Sequence, residues 1–463
     1  MTASGAAGHI PCARRGAYPV RGGNFVRPLI DGEPAFRRIG AAVETARTRV
    51  WVTVAFLERD VLLPNGRGTV FDLLERAAAR GLDVRVVFWR EPELQTILPD
   101  AHHFPGNEEE WVWLRERVTR CLARWDHLPR YCHHQKSWLI DAGDDGEVAF
   151  VGGINLEAGS MVAPGHLPLR DGSNVHDVYL ELQGPAASDV HHNFVQRWNE
   201  ASEREAPRGA WPDRERADDL PFPAVLSPQR GDVPVQITRT IHAGRYRRGV
   251  AAPAASPFPI ASGEASMAEQ YFAAVEAATR TIYIENQFFA SPEMLESIEV
   301  ALRRGIEVVL LLPGVPMQEI RAARADPRFA SFFARLSSLR AYDNFTMARL
   351  VACEGPGRYQ EVYVHAKMAL VDDGWATIGS ANIATRSFHG DTELNASLWH
   401  APVVRALRRE LLIEHLGVET AMLDDRGALR LYREVAHANR ARRARGDRLQ
   451  GLAVAIDPAE YGT

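Results

Sequence analysis

The chain has 463 residues, 46% hydrophobic and 24% charged, with a formal net charge of −5. That length exceeds one ordinary core and predicts two domains of a globular protein. The acidic balance argues against a nucleic-acid binder working through its overall charge, four scattered cysteines exclude a disulfide framework and read as reduced or buried thiols, and no apolar run approaches the roughly twenty residues of a spanning helix.

From Met1 to Tyr18 the chain is rich in Ala and Gly and carries Arg14 and Arg15. It lacks the apolar core of a signal peptide. Residues 1–21 are therefore expected to be a tail and the protein cytoplasmic. The first ordered unit is expected over 22–205. Ala41–Ala46 reads as a helix, and the β-branched, aromatic run Val50–Val54 as a strand. A helix follows over Phe71–Arg80, ended by Gly81, and a strand over Val84–Phe88. Trp111, Leu114, Val118 and Leu122 fall at helical spacing and read as core. A Pro- and Gly-rich run, Gly159–Leu169, carries Met161, Val162 and Leu167 as a possible apolar rim, with folding onto its own lobe as the rival reading.

The order of elements then repeats. After a Pro-, Gly- and Arg-rich linker over 206–232, Val233–Ile241 reads as a strand opening a second unit over 233–425. Ala273–Ala278 repeats Ala41–Ala46; Ile282–Glu285, Met294–Arg304 with Gly305, and Val308–Leu312 repeat the strand, helix and strand that follow. Phe329, Phe332, Phe333 and Leu336 read as a core face. Residues 426–463, with Arg440, Arg442, Arg443 and Arg445, are expected to be a solvated tail. Helices alternating with short apolar strands predict an α/β fold. It consists of two similar lobes, each a mixed β-sheet flanked by helices, with the matching sites facing across the interface.

The chemistry lies in a second level of the same repeat. His134-Gln-Lys136 leads through apolar residues to Asp141 and then Gly152-Gly153-Ile-Asn155; His365-Ala-Lys367 leads to Asp372 and then Gly379-Ser380-Ala-Asn382. His and Lys two apart on a strand share a face. Lysine supplies positive charge, Asn155, Asn382 and the Ser380 hydroxyl supply hydrogen bonds, and Gly153 allows close approach. Two such half-sites suit one phosphorus atom, attacked by one imidazole while the other protonates the leaving oxygen. One His-x-Lys alone is weak; the whole pattern occurring twice at matching positions is not.

The duplicated His-x-Lys-x4-Asp motif with its Gly-Gly/Ser-x-Asn partner resembles the phospholipase D superfamily. Ile282–Phe289, His176-Asp177-Val178 and Arg197-Trp198-Asn199 resemble eukaryotic-type phospholipases D, and Gly379–Leu394 resembles cardiolipin synthases. The first motif departs from the family in its longer loop and in Gly153, where Ser is usual. The resemblance implies His134 as nucleophile forming a phosphohistidine, and His365 as general acid and then base. It also implies Lys136, Lys367, Asn155 and Asn382 as phosphoryl ligands. Asp177 and Glu393 match carboxylates that orient the histidines, with Asp391 the rival for Glu393. Asp141 and Asp372 end their strands and are expected to bond turn backbone. Gln287 is expected either to line the pocket or to cap; Glu285 beside it is equally open. His133 reads as a packed or surface residue, His102-His103, His191-His192 and the run Glu108–Glu110 as solvated surface, and neither metal nor cofactor is expected. The expected substrate is a phospholipid met in transient contact with a membrane surface, the acceptor water or an alcohol, and the protein a monomer with no nucleic-acid partner. The alternatives are a cardiolipin synthase-like phosphatidyltransferase, a nuclease of the same superfamily, and a non-enzymatic lipid-binding scaffold.

Overall fold

The computed structural model describes residues 9–91, 108–118, 120–168, 174–205, 210–211 and 218–463. The pair His102-His103, Leu169 and parts of the 206–232 linker lie outside the described residues. The first lobe carries β1 (Arg21–Ile30), β2 (Arg49–Val54), β3 (Asp83–Trp89), β4 (Leu122–Asp126), β5 (Ser137–Ile140), β6 (Val148–Gly152), β7 (Val175–His176), β8 (Val178–Gln183) and β9 (Ala210–Trp211). The second carries β10 (Val233–Ile241), β11 (Glu264–Ala265), β12 (Thr281–Asn286), β13 (Phe289–Ala290), β14 (Glu307–Leu311), β15 (Phe345–Gly355), β16 (Arg358–Val364), β17 (Lys367–Val371), β18 (Trp375–Gly379), β19 (Ile383–Ala384), β20 (Glu393–Trp399) and β21 (Ala453–Ala455).

The repeat read from the sequence is a repeat of strand pairings. β2, β3 and β4 run parallel in the first lobe, as β12, β14 and β15 do in the second. β2 then pairs antiparallel with β5, β5 with β6, β6 with β8 and β8 with β1. The second lobe repeats this with β12, β17, β18, β20 and β10. The two sheets join where β1 pairs antiparallel with β10 and β7 pairs parallel with β16. The chain order of helix and strand thus dictates a mixed sheet in each lobe, covered by helices as an α/β layer requires.

The helices expected over Phe71–Arg80 and Met294–Arg304 are Val70–Ala79 and Pro292–Arg303. Each starts on a side-chain cap, Thr69 and Ser291, and each ends before a glycine at positive φ, Gly81 and Gly305. One core lies under the first lobe's outer helices and one under the second's, while a third joins the inner faces of both sheets. Every residue of the helix Ala187–Asn199 is buried in that joint core, which is why His191 and His192 are interior rather than surface residues. His191 pairs with Glu147, and His192 with the Tyr18 hydroxyl.

The described part of the first expected tail, from residue 9, and the whole of the second are structural. Ile10 is buried in the second lobe's core, its carbonyl accepting from Trp399 Nε1 at 2.8 Å. The arginine-rich C-terminal stretch is the helix Asp425–Arg445, which buries Leu429, Tyr432 and Val435, and β21 beyond it pairs antiparallel with β15. Its leucine, tyrosine and valine recur at helical spacing, and the arginines on the other face mask that stripe in the sequence. All four cysteines are free. Among the described residues no helix is long and apolar enough to cross a membrane.

Candidate active site

The histidines of the two motifs sit in extended segments immediately before β5 and β17, and both line one cavity of about 720 Å³ between the lobes. Their placement is symmetrical and crossed. The His134 backbone N–H donates to the Thr392 carbonyl at 3.0 Å, and that of His365 to the His176 carbonyl at 2.8 Å. Each histidine is therefore stitched to the residue preceding the other lobe's carboxylate. The side chains follow: His134 Nδ1 lies 3.0 and 3.1 Å from the two oxygens of Glu393, and His365 Nδ1 lies 2.6 Å from Asp177 Oδ2. Each imidazole is oriented by a carboxylate from the opposite half of the chain. With Nδ1–H donated, each Nε2 is left as the reactive nitrogen.

Glu393, not Asp391, holds the histidine. Asp391 instead accepts from the Cys132 N–H and from Arg386. Lys136 Nζ donates to the His134 carbonyl at 2.8 Å, and Lys367 Nζ makes the equivalent bond to the His365 carbonyl. Both lysines are buried, so any charge they carry acts strongly, screened less than at the surface. Asn155 Nδ2 donates to Glu157 at 3.1 Å and Asn382 Nδ2 to Gln287 at 3.4 Å; each amide nitrogen keeps a second hydrogen for a ligand, and both asparagines line the cavity. Gln287 lines it too, and also donates to the Tyr363 hydroxyl.

Two expectations are corrected. Ser380 is fully buried and its hydroxyl donates to Glu393 Oε2 at 2.6 Å while accepting from the Leu394 N–H, so it supports the carboxylate instead of facing a ligand. At Gly153 the close neighbour is Asp177, not a ligand: a Cβ there would lie 2.5 Å from Asp177 Oδ1. The glycine that departs from the family pattern is the space that the carboxylate occupies. Asp141 and Asp372 match expectation, accepting from the backbone of Arg47 and Thr48, and of Thr279, Arg280 and Thr281 respectively. His133 is buried against Asp126, Arg197 and Thr392.

Burial sets the electrostatics. It pushes both imidazoles well below their usual value, helped by the two lysines, which favours the neutral ring that a nucleophile needs. It pushes Asp177 and Glu393 up to about 7 and Lys367 down to about 7. Glu157, which the sequence reading did not single out, is also raised to about 7 by burial and the nearby Glu58. Only its position two residues after Asn155 hinted at it.

One wall of the cavity is apolar. Ile320 and Phe332 line it from the helices Gln318–Ala325 and Ala330–Ser338, Met317 and Phe329 from the residues just before those helices, and Phe288 from the residue before β13. Of the expected core face, Phe333 and Leu336 are interior, but Phe329 is 45% exposed at the cavity's edge. In the Gly159–Leu169 run Val162 is buried and Leu167 is 81% exposed.

Residues 271–413 match the family described as cardiolipin synthase, PLD-like domain, and residues 170–296 match the family described as phospholipase D. The chain is 27% identical over 82% of its length to cardiolipin synthase A of Pseudomonas entomophila. It is 24% identical over 89% of its length to phospholipase D alpha 2 of Oryza sativa. In each case it spans 66% of the relative, just under two thirds. The crystal structure of a phosphatidylserine synthase from Haemophilus influenzae shares the fold, with a TM-score of 0.55 at 12% identity over 83% of this chain and 85% of that one.

Proposed function

From the premise that this chain belongs to the phospholipase D superfamily, we propose that it transfers a phosphatidyl group from a phospholipid to water or an alcohol through a covalent histidine intermediate. The observation that carries this reading is the pair of crossed histidine–carboxylate contacts opening into one cavity with an apolar wall.

His134 Nε2 attacks phosphorus, and His365, which enters the cycle protonated on Nε2 as the negative phosphate beside it favours, gives that proton to the departing head-group oxygen. Water or an alcohol then gives its proton to His365 and attacks the same phosphorus, releasing His134. Lys136, Lys367, Asn155 and Asn382 hold the phosphoryl oxygens as negative charge builds on them. Because the half-sites are so alike, the assignment of nucleophile to His134 rests on the family resemblance. The lobes, taken as 22–205 and 233–425 with residues 9–21 and 426–463 added to the second, each bring one half-site.

The apolar wall favours an acyl chain over a nucleic-acid strand, which calls for a basic groove with stacking aromatics. A cardiolipin synthase-like reaction, with a second phospholipid as the alcohol, uses the same steps and is supported equally by the relatives. The test is product analysis by mass spectrometry after incubation with mixed phospholipid vesicles, with and without a primary alcohol, beside His134→Ala. Phosphatidic acid, a phosphatidyl-alcohol, or cardiolipin, absent with the variant, supports the proposal and names the acceptor. Absence of any lipid turnover by the folded protein refutes it.

A further inference from the structure

Behind the catalytic cavity lies a second polar cluster that the proposed reaction does not use. Asp31, His166, His176 and Glu414 bring one ligand-type atom each to within 4.8 Å of one another, and all but Glu414 are fully buried. They come from four separate segments: the end of β1, the loop before β7, β7 itself, and the second-lobe helix Ala401–Leu416. His166 Nε2 stands 3.3 Å from Asp31 Oδ1, 3.4 Å from Glu414 Oε1 and 3.4 Å from His176 Nδ1.

Those separations are long for hydrogen bonds. They are, however, the edge lengths of a tetrahedron around an ion with nitrogen and oxygen ligands at ~2.0–2.1 Å, which are about 3.3–3.4 Å. One edge is shorter, the 2.8 Å between Asp31 Oδ1 and His176 Nδ1. It would open by about half an ångström around an ion of that size.

The outer contacts point the same way. His166 turns Nδ1 to the side-chain Oδ1 of Asn174 at 2.6 Å, and His176 turns Nε2 to Glu285 at 2.9 Å. A ring nitrogen donated outwards leaves the other as a lone pair facing inwards, the arrangement that fixes metal-binding histidines. Glu285 is itself held by the Tyr283 hydroxyl, and Glu414 accepts from the Gly165 N–H at 2.7 Å. Asp31 Oδ2 is buried and has no hydrogen-bond partner among the described residues. Asp31 and His166 also take positive φ, 65° and 45°, a cost that non-glycine residues bear when their surroundings demand it.

We propose that Asp31, His166, His176 and Glu414 form a closed, structural site for a first-row divalent cation such as Zn²⁺, clamping the two lobes behind the general acid. Two imidazoles favour such an ion over Ca²⁺ or Mg²⁺, and two carboxylates balance its charge. The connection to the chemistry is short. The His176 carbonyl accepts from the His365 and Ala366 N–H groups, and the next residue, Asp177, orients the His365 ring. The ion would act by positioning, with no ligand left for substrate.

The experiment uses the tag-free full chain. Inductively coupled plasma mass spectrometry should find about one equivalent of a first-row metal per chain, retained by His134→Ala and lost by His166→Ala and Glu414→Gln. Chelator-treated protein should gain visible d–d absorption on adding Co²⁺ alone, and a higher Tm on adding Zn²⁺ alone. These readouts need no lipid turnover, so they stand or fall apart from the proposed reaction. Protein that is purified metal-free and shows neither response overturns the site, leaving a hydrogen-bonded cluster. Binding that His166→Ala and Glu414→Gln leave intact overturns it too, by placing the ion elsewhere.

Discussion

Replacing Glu393 by Gln tests whether a second-lobe carboxylate governs a first-lobe nucleophile. In the native site Glu393 accepts from two donors at once, His134 Nδ1 at 3.0 Å and Ser380 Oγ at 2.6 Å. Both donors reach Oε2, and Oε1 lies 3.1 Å from Nδ1 as well. An amide with its oxygen at Oε2 loses the charge and sets its NH₂ against Nδ1, where it can donate only to a ring whose lone pair is on Nδ1, with Nε2 protonated and unable to attack. With its oxygen towards His134, its NH₂ presses on a hydroxyl that already accepts from the Leu394 N–H. Loss of a hydrogen bond to a charged group costs ~1.5–3 kcal/mol, roughly 10- to 100-fold in rate at about 1.36 kcal/mol per factor of ten. Misprotonation of the imidazole extends this towards the ~10²–10⁴-fold typical of a lost acid–base group. The assay is intact-protein mass spectrometry of the quenched reaction, following the phosphatidyl adduct on His134, beside steady-state turnover. Stability should move the other way. Burial raises the native Glu393 to about 7, above its unfolded value, so its contribution is full at low pH and is lost as pH rises through about 7. At pH 8 the variant buries no such charge, and its Tm should equal or exceed the native one. Unchanged adduct formation, or inactivity accompanied by a collapsed Tm, would refute the reasoning.

Gly153→Ser restores the residue usual in the family and should cut turnover at least tenfold, since its Cβ would lie 2.5 Å from Asp177 Oδ1; a fully active variant would show that Asp177 has room to move. Ser380→Ala should lower kcat about tenfold with KM unchanged, because the hydroxyl holds Glu393 and not substrate; a rise in KM alone would return Ser380 to the phosphate. Phe329→Ser with Phe332→Ser should raise KM for long-chain phospholipids and leave a short-chain soluble analogue unaffected; equal effects on both would remove the acyl-chain role of the apolar wall. The pH profile of kcat/KM should be a bell centred near 7. Asp177 and Glu393, both raised to about 7, must ionise to hold the imidazoles, and Lys367, lowered to about 7, loses its charge above it. A plateau from pH 5 to 9 would contradict those values.

What the sequence made legible follows from where periodicity acts. Strand and helix order, the duplication and the two His-x-Lys motifs are local patterns, and the strand pairings reproduce them from β2 with β3 to β18 with β20. Asp141 and Asp372 were legible because a carboxylate closing a strand has few backbone partners besides the neighbouring turn. The crossing of Glu393 to His134 and Asp177 to His365 was not legible. A repeat places each carboxylate after its own motif in the chain, and only the packing of the lobes decides which histidine it meets. The roles of Ser380 and Gly153 depend on that same crossing. Glu393, in the second half, is supported by a hydroxyl, while Asp177, in the first, requires an empty space, so two equivalent motif positions carry opposite demands. His166 and Glu414, in a loop and a helix outside every motif, meet His176 only once the lobes have closed. The duplicated sequence is nearly symmetrical; the asymmetry that distinguishes its two histidines is written in the neighbours each lobe lends to the other.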